Sequence, residues 1–140
     1  MIDVFRLNSI VYRLERVCNK DYKYGDMLIK KDTVIQIPVY PIHHDPEIFP
    51  DPETYNPERH LPGNVTYQST HFMPFGVGPR MCIGMRFAYE ESKIGLAELV
   101  SKFQFDISEK NPELEPKPGS VFLSSFDNFT LKLTERSKIQ

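Results

Sequence analysis

Several features that would assign this 140-residue chain to a class at once are missing from it. No apolar run approaches the ~20 residues that span a bilayer, and the charged start Met1–Arg6 is not that of a signal peptide. Only two cysteines occur, so the composition is not that of a disulfide-stapled secreted domain. The formal net charge of −2 gives no indication of nucleic acid or an anionic membrane surface as a partner. The length of 140 residues is enough for one modest globular domain and too short for two.

Proline, by contrast, is abundant and unevenly placed. Nine of the twelve prolines fall between Pro38 and Pro79. Residues 41–72 have little periodicity, and a structureless segment of that length is unusual inside a compact domain. Its four aromatic residues predict a packed, irregular excursion with those rings in the core, in preference to a disordered linker. They are Phe49, Tyr55, Tyr67 and Phe72.

The part of the chain before the excursion has the pattern of short antiparallel strands. Alternating apolar and charged residues predict a half-buried strand over Val11–Val17. A turn at Gly25–Asp26 separates a short strand from Met27–Ile29. Lys30–Asp32 forms a second turn before the apolar run Val34–Tyr40, which is broken by Pro38.

The clearest helix is predicted over Ile83–Phe103. Two apolar stripes at helical spacing predict that this helix is buried on more than one side. Glu98 and Lys102 are predicted to form an i,i+4 ion pair on its solvent-exposed face. Residues 110–120 are predicted to form a loop, and residues 122–133 a terminal hairpin. The stripes are Met85, Tyr89, Leu96, Leu99 and Phe103, and Ile83, Phe87, Ile94, Ala97 and Val100.

Cys82 stands in an unusual setting, between a loop with two glycines and a proline and the start of that helix. The positive end of the helix and the nearby Arg80 both favour a thiolate, the form of cysteine that ligates metals. Glycines allow the backbone to turn tightly and approach a flat or bulky group, and Gly84 leaves space one turn above the sulfur. The alternative is a buried structural cysteine at a helix cap.

The pattern Phe75, Gly78, Arg80, Cys82 and Gly84 matches the F-x-x-G-x-R-x-C-x-G signature of the cytochromes P-450, the haem-thiolate monooxygenases. The segments "YRLERVC" and "MPFGVGPRMCIGMRFA" most resemble the animal branch that includes subfamily 3A. The segment "HHDPEIFPDPETYNPERHLP" resembles the meander of the family, which explains the proline-rich excursion. Essentially the whole chain resembles the C-terminal end of that family.

This resemblance implies a role for each matching residue in binding haem b. Cys82 would be the proximal thiolate ligand of the haem iron. Arg80 and Arg16 would pair with the haem propionates, to which a guanidinium can offer two donors. Phe75 would pack near the sulfur and shield it, and Gly84 would leave room beside it.

Two further groups of residues gain roles from the resemblance. Ile10, Val11 and Arg13 occupy positions that face substrate in relatives. Arg6 and Arg59 would be the two arginines of the Glu–Arg–Arg brace of the family. Asp3 occupies the position of its glutamate. The hydrophobic-proline pair usual after the brace is replaced by Asn8–Ser9.

The four histidines gain no role from the residues around them. Adjacent residues on a strand face opposite ways, so His43 and His44 are interpreted as loop structure and not as a metal pair. His60 and His71 have no ligand partner at helical or turn spacing and are interpreted as surface residues.

The implied fold class is an α+β fragment of the mainly α cytochrome P-450 fold. It comprises the end of the K helix and β strands (1–40), the meander (41–71), the cysteine ligand loop (72–84), a long buried L helix (83–103) and a C-terminal β-hairpin region (104–140). Family members are more than three times as long, so the membrane anchor, the proton-handling helix and most of the distal pocket would lie outside this sequence.

The implied activity is a monooxygenase that inserts one atom of O₂ into lipophilic, xenobiotic or steroid-like substrates. Electrons would come from NADPH through NADPH-cytochrome P-450 reductase, at the cytoplasmic face of the endoplasmic reticulum membrane. The alternative is a truncated, non-catalytic haem-binding or interaction fragment, and we expect no turnover from these 140 residues alone. A zinc site or disulfide staple is disfavoured, because two cysteines 64 positions apart give no C-x-x-C spacing.

Overall fold

The computed structural model describes residues 1–107 and 130–138. Two compact units can be distinguished among them. The first comprises Met1–Pro79, and the second comprises residues 80–107 together with 130–138.

The first unit combines short helices with two small antiparallel sheets. Strand β1 (Leu14–Val17) pairs with β4 (Val34–Ile37), and β2 (Tyr22–Tyr24) pairs with β3 (Met27–Ile29) through a turn at Gly25. Gly25 has a φ of +55°, a conformation that favours glycine. The predicted antiparallel unit is therefore confirmed, although β1 begins three residues later than Val11.

Three short helices belong to the same unit: α1 (Ile2–Leu7), α2 (Val39–His43) and a 3₁₀ helix (Pro57–His60). The apolar run is broken at Pro38, as predicted, because β4 ends at Ile37 and the chain enters α2 directly after Pro38. Pro41 lies in the first turn of α2, where a missing backbone N–H breaks no helical hydrogen bond. His43 and His44 thus lie at the end of a helix and not in a loop.

The proline-rich excursion is packed, as predicted. Phe49 is buried, and its ring lies 4.9 Å from that of Tyr67, which in turn lies 6.0 Å from that of Phe72. Tyr55 is the exception, since about half of it is exposed. A tyrosine can place its ring along the surface with its hydroxyl in water, so aromatic character alone did not identify core residues here.

The core of the first unit is unusually polar. Among the described residues, its buried hydrophobic side chains are Val39, Phe49 and Met73, and Pro74 and Gly76 are buried beside Met73. Four polar or charged residues are completely buried alongside them: Asp3, Arg6, Ser9 and His43.

The second unit contains the long helix and one small sheet. Helix α3 (Met85–Lys102) ends one residue before the predicted Phe103, where strand β5 (Phe103–Ile107) begins and pairs antiparallel with β6 (Leu131–Glu135). The period-two pattern of Phe103, Phe105 and Ile107 was missed. Residues 122–129 of the predicted terminal hairpin and the predicted loop 110–120 lie outside the described residues.

Helix α3 is not buried on two sides, contrary to the prediction. All 18 of its residues are described and none is buried; Phe87 is 72% exposed and Ile94 is 64% exposed. Two apolar stripes on an 18-residue helix need more cover than one two-stranded sheet can supply. The predicted Glu98–Lys102 pair is confirmed, with 2.8 Å between Glu98 Oε2 and Lys102 Nζ. Among the described residues, no helix has both the length and the apolar character needed to cross a membrane.

Candidate functional site

Cys82 lies directly ahead of α3, in the second unit. A 3₁₀ turn at Gly78–Arg80 precedes it, and Gly84 is the N-cap residue of the helix. The backbone carbonyl of Cys82 accepts a hydrogen bond from Met85 N at 3.4 Å. The thiol is free and exposed, so the alternative of a buried structural cysteine does not hold.

The surroundings of the sulfur leave room for a bound group. A Cβ added at Gly84 would lie 3.9 Å from Cys82 Sγ, which is ordinary contact distance, so a side chain there would begin to cover the sulfur. Arg80 is exposed two residues away. Within residues 1–107 and 130–138, no group of three histidine, cysteine or acidic side chains could hold a metal ion. A single accessible sulfur donor instead fits a cofactor such as haem, which supplies most of the iron ligands itself.

Phe75 and Arg16 belong to the first unit. The ring of Phe75 packs edge-on against that of Phe5 in α1, with 5.4 Å between centroids. Arg16 lies on β1, half-buried, and its guanidinium donates to the carbonyl of Glu15 at 2.7 Å. Their roles in haem binding stay predictions.

The three residues expected to face substrate are half-buried and follow α1. Arg13 Nε lies 2.9 Å from Glu15 Oε1. Arg13 also lines a cavity of about 540 Å³ whose walls are largely apolar. The other lining residues are Tyr12, Gln36, Pro38, Tyr40 and Pro41.

Asp3, Arg6 and Arg59 come together in the first unit. Asp3 and Arg6 are completely buried, with 2.7 Å between Arg6 Nε and Asp3 Oδ1. Arg59 Nε lies 3.5 Å from the same oxygen and has no hydrogen-bond partner among the described residues. The carboxylate of Asp3 therefore lies closer to Arg6 than to Arg59.

Both arginines also bind backbone carbonyls of the excursion. The Arg6 guanidinium donates to the carbonyls of His43 at 3.0 Å, Pro52 at 2.6 Å and Thr54 at 3.2 Å. Arg59 donates to those of Pro50, Asp51 and Thr54, at 3.0 to 3.4 Å. The cluster thus fastens α1 to the excursion.

His60 was interpreted as a surface residue, and this was wrong. Its side chain is 4% exposed, and its Nε2 lies 2.9 Å from Asp3 Oδ1. Its Nδ1 lies 2.6 Å from the hydroxyl of Tyr67. Local spacing could not have shown this, because Asp3 is 57 positions away in the sequence.

His43 is likewise buried, and sequence reasoning missed its role. Its Nδ1 lies 2.8 Å from Ser9 Oγ, and its Nε2 accepts a hydrogen bond from Met73 N at 3.0 Å. Met73 lies at the start of the segment that leads to Cys82. The interpretation of His71 as a surface residue was also incomplete, since His71 is half-buried. The ring of His44 stacks on that of Tyr40, with 4.0 Å between their centroids.

Burial changes the protonation of this polar core. Desolvation lowers the pKa of His43 to about 4, and the positive charges of its neighbours act in the same direction. Desolvation also lowers the pKa of His60, outweighing the hydrogen bond to Asp3. Burial alone would raise the pKa of Asp3, but hydrogen bonds from Arg6, Asn56 and His60 lower it overall. Near neutral pH both histidines are neutral and Asp3 is ionised.

Comparison with known proteins gives one family. The chain is 38% identical to cytochrome P450 3A40 of Oryzias latipes over 133 residues, 94% of this chain and 26% of the relative. It is 42% identical to cytochrome P450 3A41 of Mus musculus over 104 residues, 74% of this chain and 21% of the relative. It is 35% identical to cytochrome P450 6a2 of Drosophila melanogaster over 136 residues, 94% of this chain and 27% of the relative.

These alignments span only about a quarter of the length of the curated relatives. The family model described as Cytochrome P450 matches residues 3–133, which include the cysteine loop, the brace and α3. On this match, the chain belongs to the cytochrome P450 family and is similar to its 3A members.

Proposed function

We propose that this chain is the haem-binding C-terminal part of a P450 monooxygenase, with Cys82 as the thiolate ligand of the haem iron. The observation that carries the proposal is the free, exposed thiol of Cys82 directly ahead of α3, within the family signature.

Other residues of the chain would hold and enclose the cofactor. Arg80 and Arg16 would donate to the haem propionates, and Phe75 would shield the sulfur from water. Gly84 would keep the space beside the sulfur open. Bound haem would supply the activation of O₂, while the protein supplies binding, orientation and exclusion of water.

The substrate proposed for the complete enzyme is a lipophilic small molecule, with Ile10, Val11 and Arg13 on the substrate side. The apolar walls of the cavity beside Arg13 support this class. Membership of the family further supports NADPH-cytochrome P-450 reductase as the electron donor and the endoplasmic reticulum membrane as the location.

The experiment is the absorption spectrum of the reduced, CO-bound chain after reconstitution with haem. Thiolate ligation gives a red-shifted CO band, which we expect in the wild type and not in Cys82→Ser. Cys18→Ser is the matched control, because Cys18 is the other free cysteine and its thiol donates to the carbonyl of Lys20 at 2.8 Å. A red-shifted band that survives Cys82→Ser would refute the assignment.

A further inference from the structure

His43 is bonded through both ring nitrogens, and the direction of these bonds can be worked out. A backbone N–H can only donate, so the 3.0 Å contact from Met73 N makes His43 Nε2 an acceptor without a proton. The neutral ring then carries its proton on Nδ1 and donates to Ser9 Oγ at 2.8 Å. The Ser9 hydroxyl in turn donates to the carbonyl of Arg6 at 3.3 Å.

This chain of hydrogen bonds fixes the ring rigidly. Ser9 and His43 are completely buried, and the His43 ring stacks on that of Phe72 with 5.4 Å between centroids. The backbone of His43 is held as well, because its carbonyl accepts from Arg6. The acceptor presented to Met73 therefore has little freedom to move.

Met73 begins the segment that carries the cysteine signature, and it is anchored in the core of the first unit. The residue is 4% exposed, and its carbonyl accepts from Gly76 N at 3.0 Å, which closes a turn. Phe75 packs on Phe5 within that turn. Gly76 and Gly78 then have φ values of +78° and +76°, so the chain changes direction twice shortly before Cys82.

We propose that His43 is a positioning residue for the cysteine ligand loop (72–84). It fixes the start of this loop because its unprotonated Nε2 accepts a hydrogen bond from Met73 N–H. Met73 lies near the start of the segment that carries Cys82 nine residues later in the sequence, so this bond fixes the conformation of its first turn. The low pKa of His43 agrees with this, since a proton on Nε2 would abolish the bond. The inference rests on the proposed function for its effect on haem.

Two conservative substitutions separate the two bonds of His43. In His43→Gln the side-chain amide reaches the position of Nε2 and can offer an oxygen to Met73 N–H. In His43→Asn the shorter amide reaches only the position of Nδ1, so it serves Ser9 and leaves Met73 N–H without an acceptor. His44→Gln is the control, because His44 is the C-cap residue of α2 and its Nδ1 lies 3.0 Å from the carbonyl of Tyr40, one turn earlier.

The readout is the ratio of the red-shifted CO band to the band of haem without thiolate, in the haem-loaded 140-residue chain. We expect His43→Gln and His44→Gln to stay within about threefold of the wild-type ratio. We expect His43→Asn to lower the ratio about tenfold, the factor that corresponds to one lost buried hydrogen bond. Equal ratios in His43→Gln and His43→Asn, or a lower ratio in His43→Gln, would overturn the proposal.

A second readout needs no haem and separates this inference from the proposed function. Hydrogen exchange of the Met73 amide in the haem-free chain should be protected in the wild type and His43→Gln, and about tenfold faster in His43→Asn. A wild type without the red-shifted band would refute the proposed function alone. Equal exchange rates in the two variants would refute the positioning role, whatever the spectrum.

Discussion

The buried ion pair between Asp3 and Arg6 offers the sharpest test of what stabilises the first unit. Asp3→Asn keeps the shape of the side chain but removes its charge, and one of its two ends becomes an N–H donor. That end faces other donors, because Asp3 accepts from Arg6 Nε at 2.7 Å, Asn56 N at 2.7 Å and His60 Nε2 at 2.9 Å. Arg6 would remain completely buried without its counter-charge.

Removing one partner of a buried ion pair typically costs about 3–5 kcal/mol of unfolding free energy. We expect a value near the lower end, about 3 kcal/mol, because three backbone carbonyls still accept from Arg6. For a unit of this size, that loss lowers the melting temperature by roughly 12–24 °C. Domains are stable by only about 5–15 kcal/mol in total, so the effect is large.

The assay is urea unfolding of the 140-residue chain, followed by tyrosine fluorescence and circular dichroism. Asp21→Asn is the matched control, since Asp21 also pairs with a cation, Lys30 Nζ at 2.9 Å, but both side chains are at least half exposed. Such a surface pair is worth under about 1 kcal/mol. If Asp3→Asn lost no more stability than Asp21→Asn, the brace would not be a major source of stability.

Two further predictions concern the same core. Asp3→Glu should raise the unfolding free energy by about 1 kcal/mol, because a longer carboxylate can reach Arg59 Nε, which has no hydrogen-bond partner in the part of the chain that the structure describes. A lower melting temperature would show that the bonds to Asn56 and His60 matter more. Because folding lowers the pKa of His43 from its usual 6.5 to about 4, the associated stability is complete above pH 6.5 and is lost as the pH falls. Between pH 7.5 and 5.0 this residue should lower the free energy of unfolding by about 2 kcal/mol. Urea unfolding of His43→Gln at the two pH values should therefore show a smaller decrease than the wild type, and an identical decrease in both proteins would contradict the low pKa of His43.

The parts of the fold that sequence reasoning predicted are those fixed by local signals. The turn at Gly25 specifies the hairpin of β2 and β3 without help from distant residues. The helix after Cys82 has its own apolar periodicity, and its start and end were predicted to within two residues. The brace was found only because a family resemblance supplied the distant partner of Arg6.

The parts that could not be predicted depend on distant partners or on burial. His43 and His60 each contact residues 30 to 57 positions away, and nothing in their own neighbourhood marks them as buried. The amphipathic pattern of α3 correctly indicated apolar faces, but a pattern cannot tell whether anything covers them. Strand β5 was missed because its period-two residues directly continue a helix.

The two arginines of the brace donate hydrogen bonds to backbone carbonyl groups of the excursion, and the composition of that segment explains why those carbonyls need side-chain partners. Proline has no N–H to donate, and an irregular segment lacks the ladders that satisfy carbonyl groups in helices and sheets, yet buried carbonyls need partners. The planar guanidinium has five donors in a fixed fork, so Arg6 and Arg59 can take the place of those ladders. Asp3 neutralises part of the charge that this arrangement buries, which explains why an acidic residue and two arginines share a core with so few apolar side chains. The carbonyls they satisfy belong to His43, Pro50, Asp51, Pro52 and Thr54.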